Sequence, residues 1–132
     1  GVLSDESGSG LAIFQTSPTI TTPILTTPSI DGYRAAFVAK VTGDSPYSVA
    51  STDHTILCNT ASGNITLTLP TLASAISSTR GSVYVVKKTA SANTCTIDGN
   101  GAETVDGAAT LDITTLNESV TIQATTGDWK VL

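Results

Sequence analysis

Residues Ile65-Thr66-Leu67-Thr68-Leu69 alternate strictly between large aliphatic side chains and threonine, and Pro70 ends the run. A period of two is strand geometry. Successive side chains point to opposite faces, so Ile65, Leu67 and Leu69 share one face and the threonines the other. A helix would scatter the same residues around its circumference. The chain therefore holds a strand buried on one side and wet on the other, and such a strand needs a second layer to cover its apolar face.

The signature recurs from Asp31 onward. His54 to Cys58, Ser82 to Lys88, Thr94 to Ile97 and Ser119 to Ala124 read as strands rich in β-branched residues. Tyr33 to Val41 alternates loosely, with Phe37, Ala39 and Val41 on one side, and its alanines also suit a short helix. Tyr47-Ser48-Val49, Thr104-Val105, Leu111-Asp112-Ile113 and Trp129 to Leu132 are shorter strand candidates. Between them stand turn formers: Gly43-Asp44-Ser45-Pro46, Asn59 to Asn64, Asp98-Gly99-Asn100-Gly101, Asp106-Gly107 and Thr126-Gly127-Asp128. Thr71 to Ser78 departs from this pattern. There the spacing of Leu72, Ala75 and Ile76 predicts one or two helical turns. Turn signals at roughly ten-residue intervals between short strands indicate an all-β domain over residues 31–132. The expected architecture is an antiparallel β-sandwich of jelly-roll type.

Residues 1–30 differ. The first ten are polar and rich in Gly and Ser, and then Pro18, Pro23 and Pro28 recur at a fixed spacing. Prolines so placed forbid a helix and a central strand, so the segment is expected to be extended. An extended segment cannot bury Ile20, Ile24, Leu25 and Ile30 against itself, and four large aliphatic residues are unusual in a solvated linker. They are expected to pack against the same segments of other chains, as in a shaft. A Pro/Thr-rich linker is the alternative.

Charge narrows the partners. Only 13% of the residues are charged, the net charge is −5, and the basic residues stand apart except for Lys87-Lys88. Binding nucleic acid phosphates needs clustered Lys and Arg, so no nucleic acid partner is expected. No apolar run approaches the roughly 20 residues of a membrane span, and Gly1 to Asp5 lacks the basic start of a signal peptide, so no membrane insertion is expected. Cys58 and Cys95 each fall in a strand candidate. The preferred reading is two buried free thiols, since free Cys packs as a small apolar residue, and a disulfide stays open because the count is even.

Catalytic chemistry has little to build on. His54 is the single histidine, and its neighbour Asp53 points to the opposite face of a strand. Asp98, Glu103 and Asp106 lie close together, but among Gly99, Asn100, Gly101 and Gly107, where Asp is a turn former. A glycosidase needs two carboxylates held roughly 5–9 Å apart across a cleft. Asp98-Gly99-Asn100-Gly101 fails as a calcium loop, because the position of the closing Glu is Ala109. No catalytic residue, metal site or cofactor is expected, and the chain is read as non-enzymatic. Binding is expected at loops held by the β-domain, with Tyr47, Tyr84 or Trp129 as surface aromatics for stacking on sugar rings. Trp129 also suits a core or interface anchor.

Leu3-Ser4-Asp5-Glu6-Ser7-Gly8-Ser9-Gly10, Phe14 and Ser17-Pro18-Thr19-Ile20-Thr21-Thr22-Pro23 together resemble a segment recurrent in tail-fibre and other structural proteins of tailed bacteriophages. The remainder resembles a β-domain that often follows it: Tyr47-Ser48-Val49, Asp53 to Leu57, Ile65 to Pro70, Val83 to Lys88, Asn93 to Gly101, Glu103 to Gly107, Val120 to Gln123 and Gly127-Asp128-Trp129. These stretches cover most of the chain, and their order and spacing carry the likeness. The resemblance implies a protein made in the bacterial host cytoplasm and located in the virion. It implies a homotrimeric fibre that contacts other virion proteins and contributes to attachment on a host surface polysaccharide or protein. A purely structural head fibre, collar or connector is the second reading, and a polysaccharide depolymerase fragment the third.

Overall fold

The structure is a computed structural model that describes residues 35–132, which fall in one compact unit. In chain order the elements are β1 (Phe37–Val41), β2 (Tyr47–Ser48), β3 (Thr55–Asn59), β4 (Ile65–Thr68), the one-turn helix α1 (Leu72–Ala75), β5 (Ile76–Ser77), β6 (Arg80–Gly81), β7 (Val83–Lys88), β8 (Cys95–Asp98), β9 (Thr110–Ile113), β10 (Ser119–Thr125) and β11 (Asp128–Val131). The first sheet has the order β1-β3-β7-β10-β11 and the second β2-β4-β8-β9, while β5 and β6 form a small hairpin.

The chain crosses from one sheet to the other at each pass. β1, β3 and β7 lie in the first sheet, and β2, β4 and β8 in the second. Each strand returns parallel to the one laid down a pass earlier: Phe37 beside Thr55, Thr55 beside Val85, Tyr47 beside Leu67, and Ile65 beside Cys95. Three such passes stack as rungs of a short two-sided solenoid. The final strands reverse direction, β9 against β8, β10 against β7 and β11 against β10. The all-β expectation therefore holds, but the sheets are mixed, and the antiparallel jelly-roll is corrected. Alternation reports which face is buried and is silent on the direction of the neighbour. A parallel neighbour needs a crossover, and here a strand of the facing sheet supplies it.

The core lies between the sheets. Val38, Ile56 and Val86 sit side by side on the inner face of the first sheet, and Leu67 and Ile97 on that of the second. Ile56, Val86, Ile65, Leu67, Ile97, Ile113 and Ile122 are fully buried. Each such side chain contributes about 1.5–3 kcal/mol by leaving water. Strand β7 shows how the alternation divides an adjacent pair: Lys87 points outward, while Lys88 is buried and donates to the Ala90 carbonyl.

Cys58 on β3 and Cys95 on β8 are joined by a disulfide across the core, with Cα atoms 6.4 Å apart. This corrects the free-thiol expectation. Both cysteines are inward-facing and buried, as expected. The sequence did not show that their strands belong to facing sheets, at a separation a disulfide spans.

Between the second and third rungs the chain inserts α1 and the β5–β6 hairpin. Thr71 caps the helix, its hydroxyl accepting from Ser74 N, and Ile76 is already extended. The helix thus stops after one turn, with Ala75 buried and Leu72 and Ile76 against the core. The Glu103 carboxylate accepts the Leu72 N–H at 2.9 and 3.0 Å and ties the insertion to the loop after β8. Among the described residues no helix is long and apolar enough to cross a membrane.

Candidate binding cleft

The insertion forms a cleft against the end of β10. Ile76, Ser78, Thr79 and Gly81 line one side, and Gln123, Ala124, Thr125 and Thr126 the other. Its volume is about 320 Å³, within the size range of small-ligand pockets. Two local features place the hairpin there. Ser82 N donates to Ala75 O at 2.8 Å, and Ala124 N donates to Ser82 O at 3.0 Å, which docks the insertion onto β10. A Cβ on Gly81 would collide with the Ala124 carbonyl, so only glycine permits this approach. The tip residue Ser78 sits at φ 59°, a left-handed conformation that a tight two-residue turn requires.

The opposite wall is braced by charge. Asp128 accepts from Lys130 Nζ at 2.7 Å, Thr104 Oγ1 at 2.9 Å and Gly107 N at 3.1 Å. Lys130 also reaches Asp106 at 3.4 Å. The hydrogen bond from Lys130, with that from Thr104 and the ammonium charge, holds the Asp128 carboxyl below its ordinary range. Thr125 Oγ1 donates to the Asp128 carbonyl at 2.6 Å, which fixes the turn carrying Thr125 and Thr126. The cleft lining itself is uncharged: hydroxyls, one carboxamide, and an apolar floor from Ile76 and Ala124. Such a surface offers hydrogen-bond donors and acceptors but no formal charge, which suits a neutral polyol better than a strongly charged ligand.

The expected aromatic surface is not assembled. Trp129 and Tyr84 are 0% and 1% exposed, and their rings pack 5.9 Å apart in the core. They are therefore corrected from surface aromatics to core residues, consistent with the anchor reading of Trp129. Both residues fall on the inward-facing positions of their strands, β7 and β11. Burial also pushes the Tyr84 phenol up. Tyr47 is half-buried at the edge of the second sheet. It donates to Asp53 Oδ2 at 2.8 Å, and Lys40 Nζ stands 3.8 Å from its ring centroid. Burial, then the Asp53 hydrogen bond and charge, push its pKa up to about 12. Ile20, Ile24, Leu25 and Ile30 lie outside the described residues.

Two of the three carboxylates that invited a glycosidase reading have structural partners. Glu103 holds α1, and Asp106 pairs with Lys130. His54 Nδ1 lies 3.1 Å from Thr55 Oγ1. Among the described residues no three His, Cys, Asp or Glu side chains gather as a metal site. Sequence reasoning missed the cleft because Ser78, Thr79, Gln123 and Thr126 are ordinary polar residues of turns and strand ends. Only the docking of the insertion on β10 brings them together. No protein-family model matches the chain, and no curated protein matches it.

Proposed function

We propose that this chain is a module of a bacteriophage virion fibre, a homotrimer that contributes to host-surface attachment by binding without catalysis. One observation carries the reading: the rungs stack along one direction, and the two ends of the stack differ. The last rung is followed by the antiparallel strands β9, β10 and β11, of which β9 and β11 are sheet edges among the described residues, and β1 and β2 are the edges at the entry end, where all pairing is parallel. Repeat stacks are stable when their ends are capped, and an uncapped end is a site of continuation. The chain arrives at β1 after 34 residues that include the regularly spaced prolines. A stack of parallel rungs that begins directly after this stretch suits a module of a rod.

The cleft of Ser78, Thr79, Gln123 and Thr126 then serves as the contact with a neutral host polysaccharide. Threefold repetition multiplies weak contacts of this kind by avidity. The test is the native mass of the full chain by light scattering across a concentration series. The expected result is three times 13.4 kDa. A 13.4 kDa species at every concentration overturns the homotrimer. Fluorescently labelled chain is expected to bind bacterial cells and to be displaced by their purified surface polysaccharide. Intact trimer without cell binding transfers the reading to a structural head fibre, collar or connector.

A further inference from the structure

The outer faces of the two sheets differ in chemistry. On the second sheet the outward row Ser48, Thr68, Asp98 and Thr110 and the row Thr66, Thr96 and Asp112 are polar throughout. On the first sheet Phe37, Ala39 and Val41 project outward from β1, with Leu57 on β3 beside Ala39 and Val85 on β7 one strand beyond Thr55. Phe37 is 70% exposed and Val41 52%. A strand edge, an outward phenylalanine and an outward valine together form an apolar strip that the described residues leave uncovered.

Two further observations say what covers it. The 34 residues outside the described structure end two residues before Phe37, so the chain enters the domain at this strip. On the fibre reading, chains joined through that segment would hold their β1 strands at high effective concentration. Charge agrees. The row Phe37, Thr55, Val85 and Thr121 is uncharged, and the row Ala39, Leu57, Lys87 and Ser119 has its single charge on the third strand. The outward residues of β1, Phe37, Ala39 and Val41, are themselves uncharged. Copies meeting through the second sheet would oppose Asp98 and Asp112.

We propose that the outer face of β1, centred on Phe37, Ala39 and Val41, is the surface through which copies of this chain meet. The assignment rests on the homotrimeric fibre reading and adds the place of contact. It leaves the cleft free, because Gln123 lies on β10, beyond β3 and β7.

The test compares the full chain with Ala39→Lys, which sets a charge in the strip without removing a buried contact. Thr110→Lys on the outer face of the second sheet is the control. Sedimentation equilibrium is expected to show Ala39→Lys associating at least tenfold more weakly than wild type, with an unchanged circular dichroism spectrum, and Thr110→Lys associating as wild type. Phe37→Ser/Val41→Ser is the second variant, should the lysine disturb β1. Hydrogen exchange of wild type gives a reading that needs no variant, with β1 amides expected to gain protection as concentration rises. Wild-type association in both β1 variants, or β1 exchange independent of concentration in an assembling chain, overturns the surface and leaves the homotrimer standing. A wild-type chain that never associates overturns both.

Discussion

Two tyrosines report what burial does to a phenol. Tyr84 is in the core, and its hydroxyl makes no well-formed hydrogen bond among the described residues, although Ser82 stands close enough to oppose the upward pull of burial on its pKa. Leaving a buried polar group unpaired costs about 1–3 kcal/mol. Tyr84→Phe removes the hydroxyl and keeps the ring against Trp129. It is expected to leave stability unchanged or raise it by about 1 kcal/mol in urea unfolding. A loss of more than that would mean the hydroxyl is bonded in the native state. Tyr47 carries a pH dependence. Its folded pKa, about 12, exceeds the ordinary value of 10.0, so the fold favours the protonated phenol. Between those values the unfolded chain binds fewer protons than the folded one, so stability falls as pH rises from 10 towards 12. The difference in absorbance at 295 nm between wild type and Tyr47→Phe is expected to titrate near pH 12. A midpoint near 10 would deny the burial and the Asp53 bond.

The elements divide by what specified them. Ile65 to Thr68 was legible from its strict alternation, Val83 to Lys88 from its β-branched and aromatic residues, and the helical turn at Leu72 because its spacing breaks from two to three and four. Thr104-Val105 reads as a strand yet forms only isolated bridges, from Val105 to Ala108 and to Trp129, because the Asp106-Gly107 turn leaves no room to extend. Strand direction was not legible, since parallel and antiparallel neighbours bury the same inward residues. The cleft was not legible either, because it arises where the β5–β6 hairpin meets β10. Gly81 tests that junction. Gly81→Ala must push the Ala124 backbone away, and overpacking of this kind costs about 1–3 kcal/mol. Urea unfolding measures that loss. Exchange of the Ala124 amide, which bonds to Ser82, is expected to speed up in the variant. Wild-type stability and exchange would show that the hairpin does not rest on β10.

At the scale of the whole molecule, the disulfide and the rung order together decide where the fold is tight. Cys58 belongs to the second rung and Cys95 to the third, and the bond crosses from one sheet to the other. It closes a loop with a sequence separation of 37 that contains β4, α1, β5, β6 and β7, while β1 and β2 stay outside it. Closing a loop of this length restricts the unfolded chain by about 4 kcal/mol in the chain-entropy account. Cys58→Ala/Cys95→Ala is expected to lose roughly that amount, plus a smaller packing term, in urea unfolding. The native state is still expected to form, because Ile56, Ile65, Leu67, Val86 and Ile97 bury the same surface without the bond. On the proposed reading the chain is made in a reducing cytoplasm, where disulfides are rare, and the distinction then matters. If the fold precedes the bond, the double variant gives the wild-type circular dichroism spectrum and a lower unfolding midpoint. If the variant is unfolded in buffer, the apolar core alone is insufficient, and the chain must complete its fold after leaving the reducing compartment. The first rung discriminates further. Amides of β1 and β2 should exchange at nearly the same rate in wild type and variant at low concentration, because the bond never constrained them. A large acceleration there would mean that the rungs unfold as one unit.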